Sequence, residues 1–161
     1  MFQYTIGFIG TGNMGAALVR AACKGIGPQQ VVVTNHTPAK AQALAKEVGC
    51  QVVLTNEEVV RQSKFIMLGV KPHILPEVLR QIAPVVKECT DQGEEKILVS
   101  MAAGVTMESI YQHLNLPDRV PVLRIMPNTP AAIGEGMILY TCGDGVAPDE
   151  EQVFLNAMAG A

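Results

Sequence analysis

Charge is scarce in this chain of 161 residues, and neither sign dominates. Asp, Glu, Lys and Arg make up 17% of it, for a formal net charge of −3. Such a balance gives no electrostatic case for nucleic acid or an anionic membrane as partner. Cysteine is sparse as well. Cys23, Cys50, Cys89 and Cys142 stand far apart, with no Cys-x-x-Cys pair. That spacing argues against a zinc site or a disulfide framework and for structural thiols in a reducing, cytoplasmic compartment. No apolar run approaches the ~20 residues of a membrane-spanning helix. The first residues lead at once into a strand-like segment, so no signal peptide is expected. Internal repeats, low-complexity tracts, a nucleophile–base pair and a metal-ligand cluster are also missing, and no metal is expected. What the chain has in quantity is hydrophobic residues, 48% of the total, enough for one α/β domain with a proper core.

Thr5–Gly15 organises that domain. Ile6, Phe8 and Ile9 read as a short buried strand that runs into Gly10-x-Gly12-x-x-Gly15. A helical pattern then starts at Met14 and continues through Ala17, Leu18 and Ala21. Strand, glycine turn and helix in that order raise G-x-G-x-x-G above a chance match and mark a dinucleotide-binding fingerprint. Gly10 is expected to permit the tight turn and Gly12 to let a pyrophosphate approach the backbone. Gly15 is expected to pack helix on strand. The helix N-terminus adds N–H groups and partial positive charge. The alternative is a glycine-rich turn with no ligand.

Strands and helices alternate from there. The first helix is predicted to end near Lys24-Gly25, with Gly25 or Gly27 just beyond it. Val31–Thr34 is a β-branched second strand. Thr37-Pro38 reads as an N-cap followed by proline at the first helical position, in a helix that lasts to Gly49. Gln51–Leu54 is a short third strand, and Asn56 is a candidate cap for the next helix. Phe65–Val70 is a continuous apolar strand broken only by Gly69, as a sheet covered on both faces requires. Leu75–Val86 has helical spacing, and Asp91–Lys96 reads as a polar surface connection. Ile97–Met101 is a fifth strand. Thr106 caps a helix through Ile110 and Leu114. Val120–Met126 is a sixth strand, Gly136–Thr141 an antiparallel edge strand, and Asp149 opens a last helix through Met158. The alternation implies right-handed βαβ units. The expected fold is therefore α/β: a Rossmann-type, doubly wound, mostly parallel sheet over residues 1–161.

Ligands of such sheets bind beyond the carboxyl ends of the strands. Four more segments fall there: Asn35-His36-Thr37, Gly69–His73, Ala102-Ala103-Gly104 and Pro127–Pro130. All are expected to face one crevice. An NAD site usually carries Asp or Glu about 20 residues past the glycines, for the ribose 2′-hydroxyl. Here that position is the neutral Asn35, with donors on His36, Thr37 and nearby Lys40. NADP is therefore favoured, with NAD possible; a plain capped helix start is the alternative. Lys71 taken alone reads as a solvated surface charge. His73 could act as a general acid, but the sequence shows no partner for it. Asn128 and Thr129, held between Pro127 and Pro130, could bond a nicotinamide amide or a substrate. The bland alternative is a turn stiffened by two prolines.

Taken together, these segments closely resemble pyrroline-5-carboxylate reductase, a family that reduces 1-pyrroline-5-carboxylate to proline with NAD(P)H. The matching stretches are Gly7–Gly15, Val70-Lys71-Pro72-His73, Ala102–Thr106 and Arg124–Pro130, in the family's order and spacing. The resemblance implies that the cofactor is lined by Gly10, Thr11, Gly12, Asn13, Met14 and Gly15, then by Asn35, His36, Thr37 and Asn56. Val70, Lys71, Pro72, Ala102, Ala103 and Gly104 complete that lining. It places Asn128 and Thr129 beside the nicotinamide and the substrate. It implies a small-molecule substrate, a role in proline biosynthesis, and a homo-oligomer built by an all-helical second domain that has no counterpart in this sequence. The chain alone is accordingly expected to bind cofactor without turning over substrate. Another short NADP-dependent oxidoreductase, or a non-catalytic NADP-binding or regulatory module, shares the same first-domain signature.

Overall fold

The structure is a computed structural model that describes residues 3–102, 104–117, 120–126, 139–142 and 148–157. In chain order the elements are β1 (Tyr4–Ile9), α1 (Asn13–Ile26), β2 (Val31–Thr34), α2 (Pro38–Val48), β3 (Gln51–Val52), α3 (Asn56–Gln62) and β4 (Ser63–Leu68). They continue with α4 (Leu75–Asp91), β5 (Ile97–Ser100), α5 (Met107–Leu114), β6 (Val122–Met126), β7 (Leu139–Cys142) and α6 (Pro148–Ala157). The strands form one seven-stranded sheet in the order β3-β2-β1-β4-β5-β6-β7. Every neighbouring pair is parallel except β6 with β7, which is antiparallel. The expected α/β Rossmann-type fold is what the chain adopts. Chain order runs outward to β3 on one side and to β7 on the other, so its direction reverses between β1 and β4.

Alternation along the strands builds two cores, one on each face of the sheet. Phe65 and Met67 of β4 join Leu18, Val19, Leu44 and Phe154 from α1, α2 and α6 on one face. Ile66 and Leu68 join Val59, Val60, Leu79, Ile82, Ile110 and Leu114 from α3, α4 and α5 on the other. The apolar stripe of α4 is what the spacing from Leu75 to Val86 dictates. On the first face the Phe65 and Phe154 rings stand 5.7 Å apart between centroids.

Several boundaries differ from expectation, each for a local reason. Helix α1 runs past Gly25 to Ile26, and of the two glycines expected to end it Gly27, at φ +92°, is the one that does. Helix α3 is capped by Thr55, whose Oγ1 accepts the Glu58 N–H at 3.1 Å, so Asn56 is its first helical residue. Thr37 sits at the N-cap of α2 but makes no side-chain capping bond. The largest departure is Lys96. Its place in a polar connection predicts a surface position, yet only 1% of it is exposed. Its Nζ donates to the Arg61 and Ser63 carbonyls at 3.1 and 2.8 Å, where α3 ends, and burial holds its pKa below the usual lysine range. Residues 136–138 and Met158 lie outside the described residues. Among the described residues, no helix is long and apolar enough to cross a membrane, and no group of His, Cys, Asp or Glu could hold a metal ion. Cys23, Cys50 and Cys89 are buried free thiols. The neighbouring Cys50 thiol together with burial pushes the pKa of Cys23 up.

Candidate functional site

Strand register gathers the predicted segments on one edge. Thr34 pairs with Ile9, Ile9 with Leu68, and Leu68 with Ser100. Ser100 pairs in turn with Arg124. The residues that leave this row, Asn35, Gly10 and Gly69, with Ala102 and Gly104 just beyond Ser100, therefore stand at the carboxyl end of the sheet. The reversal between β1 and β4 falls in the middle of them, which is where α/β sheets hold their ligands.

At that point the backbone is packed as tightly as glycine allows. Gly69 N–H donates to the Ile9 carbonyl at 2.8 Å. A Cβ on Gly69 would lie 2.6 Å from the Gly10 carbonyl oxygen, and one on Gly15 would lie 2.9 Å from the same oxygen. Gly10 has φ +92°, and a Cβ there would strike Gly69 and Val70 at 2.9 Å. Gly12 is the opposite case: a Cβ there would meet nothing within 4 Å. The loop thus closes on itself through Gly10, Gly15 and Gly69 and presents an open backbone face at Gly12. Beside it the Thr11 Oγ1 is buried with no hydrogen-bond partner among the described residues.

The helix ends sort in the same way. Gly12 is the N-cap of α1; no side chain caps that end and no acidic residue stands in its first turn. The N-terminus of α2 has the same two features. By contrast, Thr55 caps α3, with Glu57 and Glu58 in the first turn, and Thr106 caps α5, with Glu108 there. The two helices that start beside Gly12 and Asn35 leave their positive ends without a side-chain cap or a first-turn acid, while α3 and α5 neutralise theirs. An exposed Arg20–Glu47 pair, at 2.6 Å, joins α1 to α2 behind these ends, and Arg20 holds the Glu47 carboxyl below its usual range.

The remaining sequence candidates take clear places. Asn35 is half-buried and bridges two segments: its Oδ1 accepts the Thr11 N–H, and its Nδ2 donates to the Thr37 carbonyl, both at 3.2 Å. His36, Thr37, Lys40, Lys71, Pro72 and His73 are exposed along this edge. The Lys71 carbonyl closes the turn into α4 by accepting from Ile74 and Leu75. Asn56 donates through Nδ2 to Gln81 at 2.9 Å, and Gln81 donates to Glu57 at 3.0 Å. Ala102 is buried and its N–H meets Ser100 Oγ at 3.4 Å. Gly104 is exposed, with φ +76°. Asn13 and Met14 open α1. Ala103, Asn128 and Thr129 lie outside the described residues. Gly69, the second wall of the glycine loop, is expected at the crevice as the first residue of Gly69–His73 but not among the cofactor-lining residues; its signal is a lone glycine at the end of an apolar strand. An open cleft of about 530 Å³ between α4 and α5 lies away from this edge and is lined by surface side chains such as Arg80, Lys87 and His113.

Residues 5–104 match the family model described as NADP oxidoreductase, coenzyme F420-dependent. The chain belongs to that family. The matched stretch runs from β1 to Gly104, so this NADP oxidoreductase signature and the glycine-loop edge coincide. The family's description names NADP, the cofactor expected from Asn35 and its neighbours. The chain is 39% identical to pyrroline-5-carboxylate reductase 3 of Danio rerio, over 99% of this chain and 53% of that one. Among solved structures it superposes on a pyrroline-5-carboxylate reductase from Coxiella burnetii with a TM-score of 0.85 at 25% identity, covering 98% of this chain and 56% of that one. A pyrroline carboxylate reductase of Plasmodium falciparum with NADP bound gives 0.80 at 22% identity, covering 99% and 56%. The chain spans about half the length of the relatives it matches.

Proposed function

We propose that this chain is the cofactor-binding part of an NADPH-dependent pyrroline-5-carboxylate reductase. One observation carries the reading. The glycine loop is closed by Gly10, Gly15 and Gly69 yet open at Gly12, and it stands where strand order reverses, against a helix end that no side chain caps. A pyrophosphate fits that cradle because it needs N–H donors and close backbone approach and tolerates no Cβ at Gly12. The N-terminus of α2, with His36, Thr37 and Lys40, would hold the ribose 2′-phosphate. Val70 and Ala102 would line the next part of the groove, with Lys71, Pro72 and Gly104 at its rim, and Ala103 is assigned to the same lining. Asn128 and Thr129 are assigned to the nicotinamide and the substrate.

When bound, NADPH supplies a hydride to an imine carbon. A protonated imine accepts it without a strong base. The protein's task is to hold the two carbons together and exclude water. The substrate is assigned from the resemblance of Arg124–Pro130 and from the names of the relatives, one of which was solved with NADP. Assembly through the other half of the full-length protein and a cytoplasmic location belong to the same reading.

The test is a chimera in which this chain replaces the matched half of the Danio rerio reductase. We expect NADPH oxidation that depends on 1-pyrroline-5-carboxylate, and loss of turnover when the second half is omitted while NADPH binding persists. A folded chimera that binds NADPH but leaves the imine untouched would refute the substrate assignment.

A further inference from the structure

We infer that Asn35 acts as a positioning residue that fastens the glycine loop to the start of α2, and not as a reader of the ribose. The inference rests on the NADPH reading of the same edge and concerns how that edge is held. The first two N–H groups of the loop are both spent on the end of β2. Gly10 N–H donates to the Thr34 carbonyl at 2.9 Å, and Thr11 N–H donates to Asn35 Oδ1 at 3.2 Å. The same amide turns its Nδ2 to the Thr37 carbonyl at 3.2 Å. A primary amide is the side chain that can accept from one backbone segment and donate to another two residues away. An aspartate would accept from Thr11 but have no proton for Thr37. An alanine would do neither. With the amide so engaged, the donors left for phosphate begin at Gly12, where the backbone face is open. Asn35 thereby sets where that face points.

Two readouts test this. Backbone amide exchange, followed by NMR on the chain without cofactor, should show Thr11 protected in the natural sequence, exposed in Asn35→Ala and still protected in Asn35→Asp. Calorimetry should show Asn35→Ala weakening NADPH and NADH by the same factor, on the order of 5- to 150-fold for two neutral hydrogen bonds, with their ratio held within about twofold. A ratio that moves severalfold in Asn35→Ala, or a Thr11 amide equally protected in the natural sequence and in Asn35→Ala, would overturn the inference. Should neither nucleotide bind the natural chain, the cofactor reading fails, and the exchange experiment alone still decides whether Asn35 fastens the loop.

Discussion

One backbone oxygen fixes the geometry of the glycine-loop edge. The Gly10 carbonyl is approached from two sides, by Gly15 at the start of α1 and by Gly69 at the end of β4. Gly69→Ala would place a Cβ 2.6 Å from it, closer than real carbon–oxygen contacts, and the obstacle is backbone that cannot swing aside. We expect a loss of about 1–3 kcal/mol, read by urea denaturation, together with weaker NADPH binding as the two loops separate. At this scale sequence is informative where the constraint is local. Gly10, Gly12 and Gly15 announce themselves by spacing. Gly69 does not, because the contact that requires it joins two strands far apart in the chain. Lys96 escapes sequence reasoning for the same reason: its neighbours Glu94 and Glu95 suggest solvent, while the carbonyls that draw it inward belong to Arg61 and Ser63.

Helices differ in whether their N-terminal ends are neutralised. Asn13 stands in the first turn of α1, a turn that carries no acid. Asn13→Asp should add about 0.3–1 kcal/mol to stability through the helix dipole, and its charge should repel a pyrophosphate held at the same end. The expected result is a melting temperature equal to or above that of the natural chain, with NADPH affinity reduced at least about tenfold for a close like-charge contact. Unchanged affinity would place the pyrophosphate elsewhere. Element identities are legible because their patterns are strong. Val31–Thr34 is β-branched at every position, and the apolar stripe of α4 repeats from Leu75 through to Cys89. The cap of α3 is ambiguous in sequence because Thr55 and Asn56 are both capping types; the spacing Thr55-x-x-Glu58 is the signal that separates them.

For the whole molecule, the alternation of strand and helix foretells a parallel sheet, but strand order arises only when both cores close. The order places β1 and β4 side by side at the centre and so brings Gly10 against Gly69. On the proposed reading the open backbone face at Gly12 receives a dinucleotide pyrophosphate. Gly12→Val tests it most directly, since φ −64° and ψ −176° suit valine and no atom lies within 4 Å of the new Cβ. The fold should lose only what a poorer N-cap costs, about 1 kcal/mol. Calorimetric titration with NADPH is the measurement. Saturable binding of one NADPH per chain in the natural sequence, weakened at least about 30-fold in a folded Gly12→Val, is the expected result. Equal NADPH affinity in the two proteins, or a folded natural chain that takes up none, would contradict it.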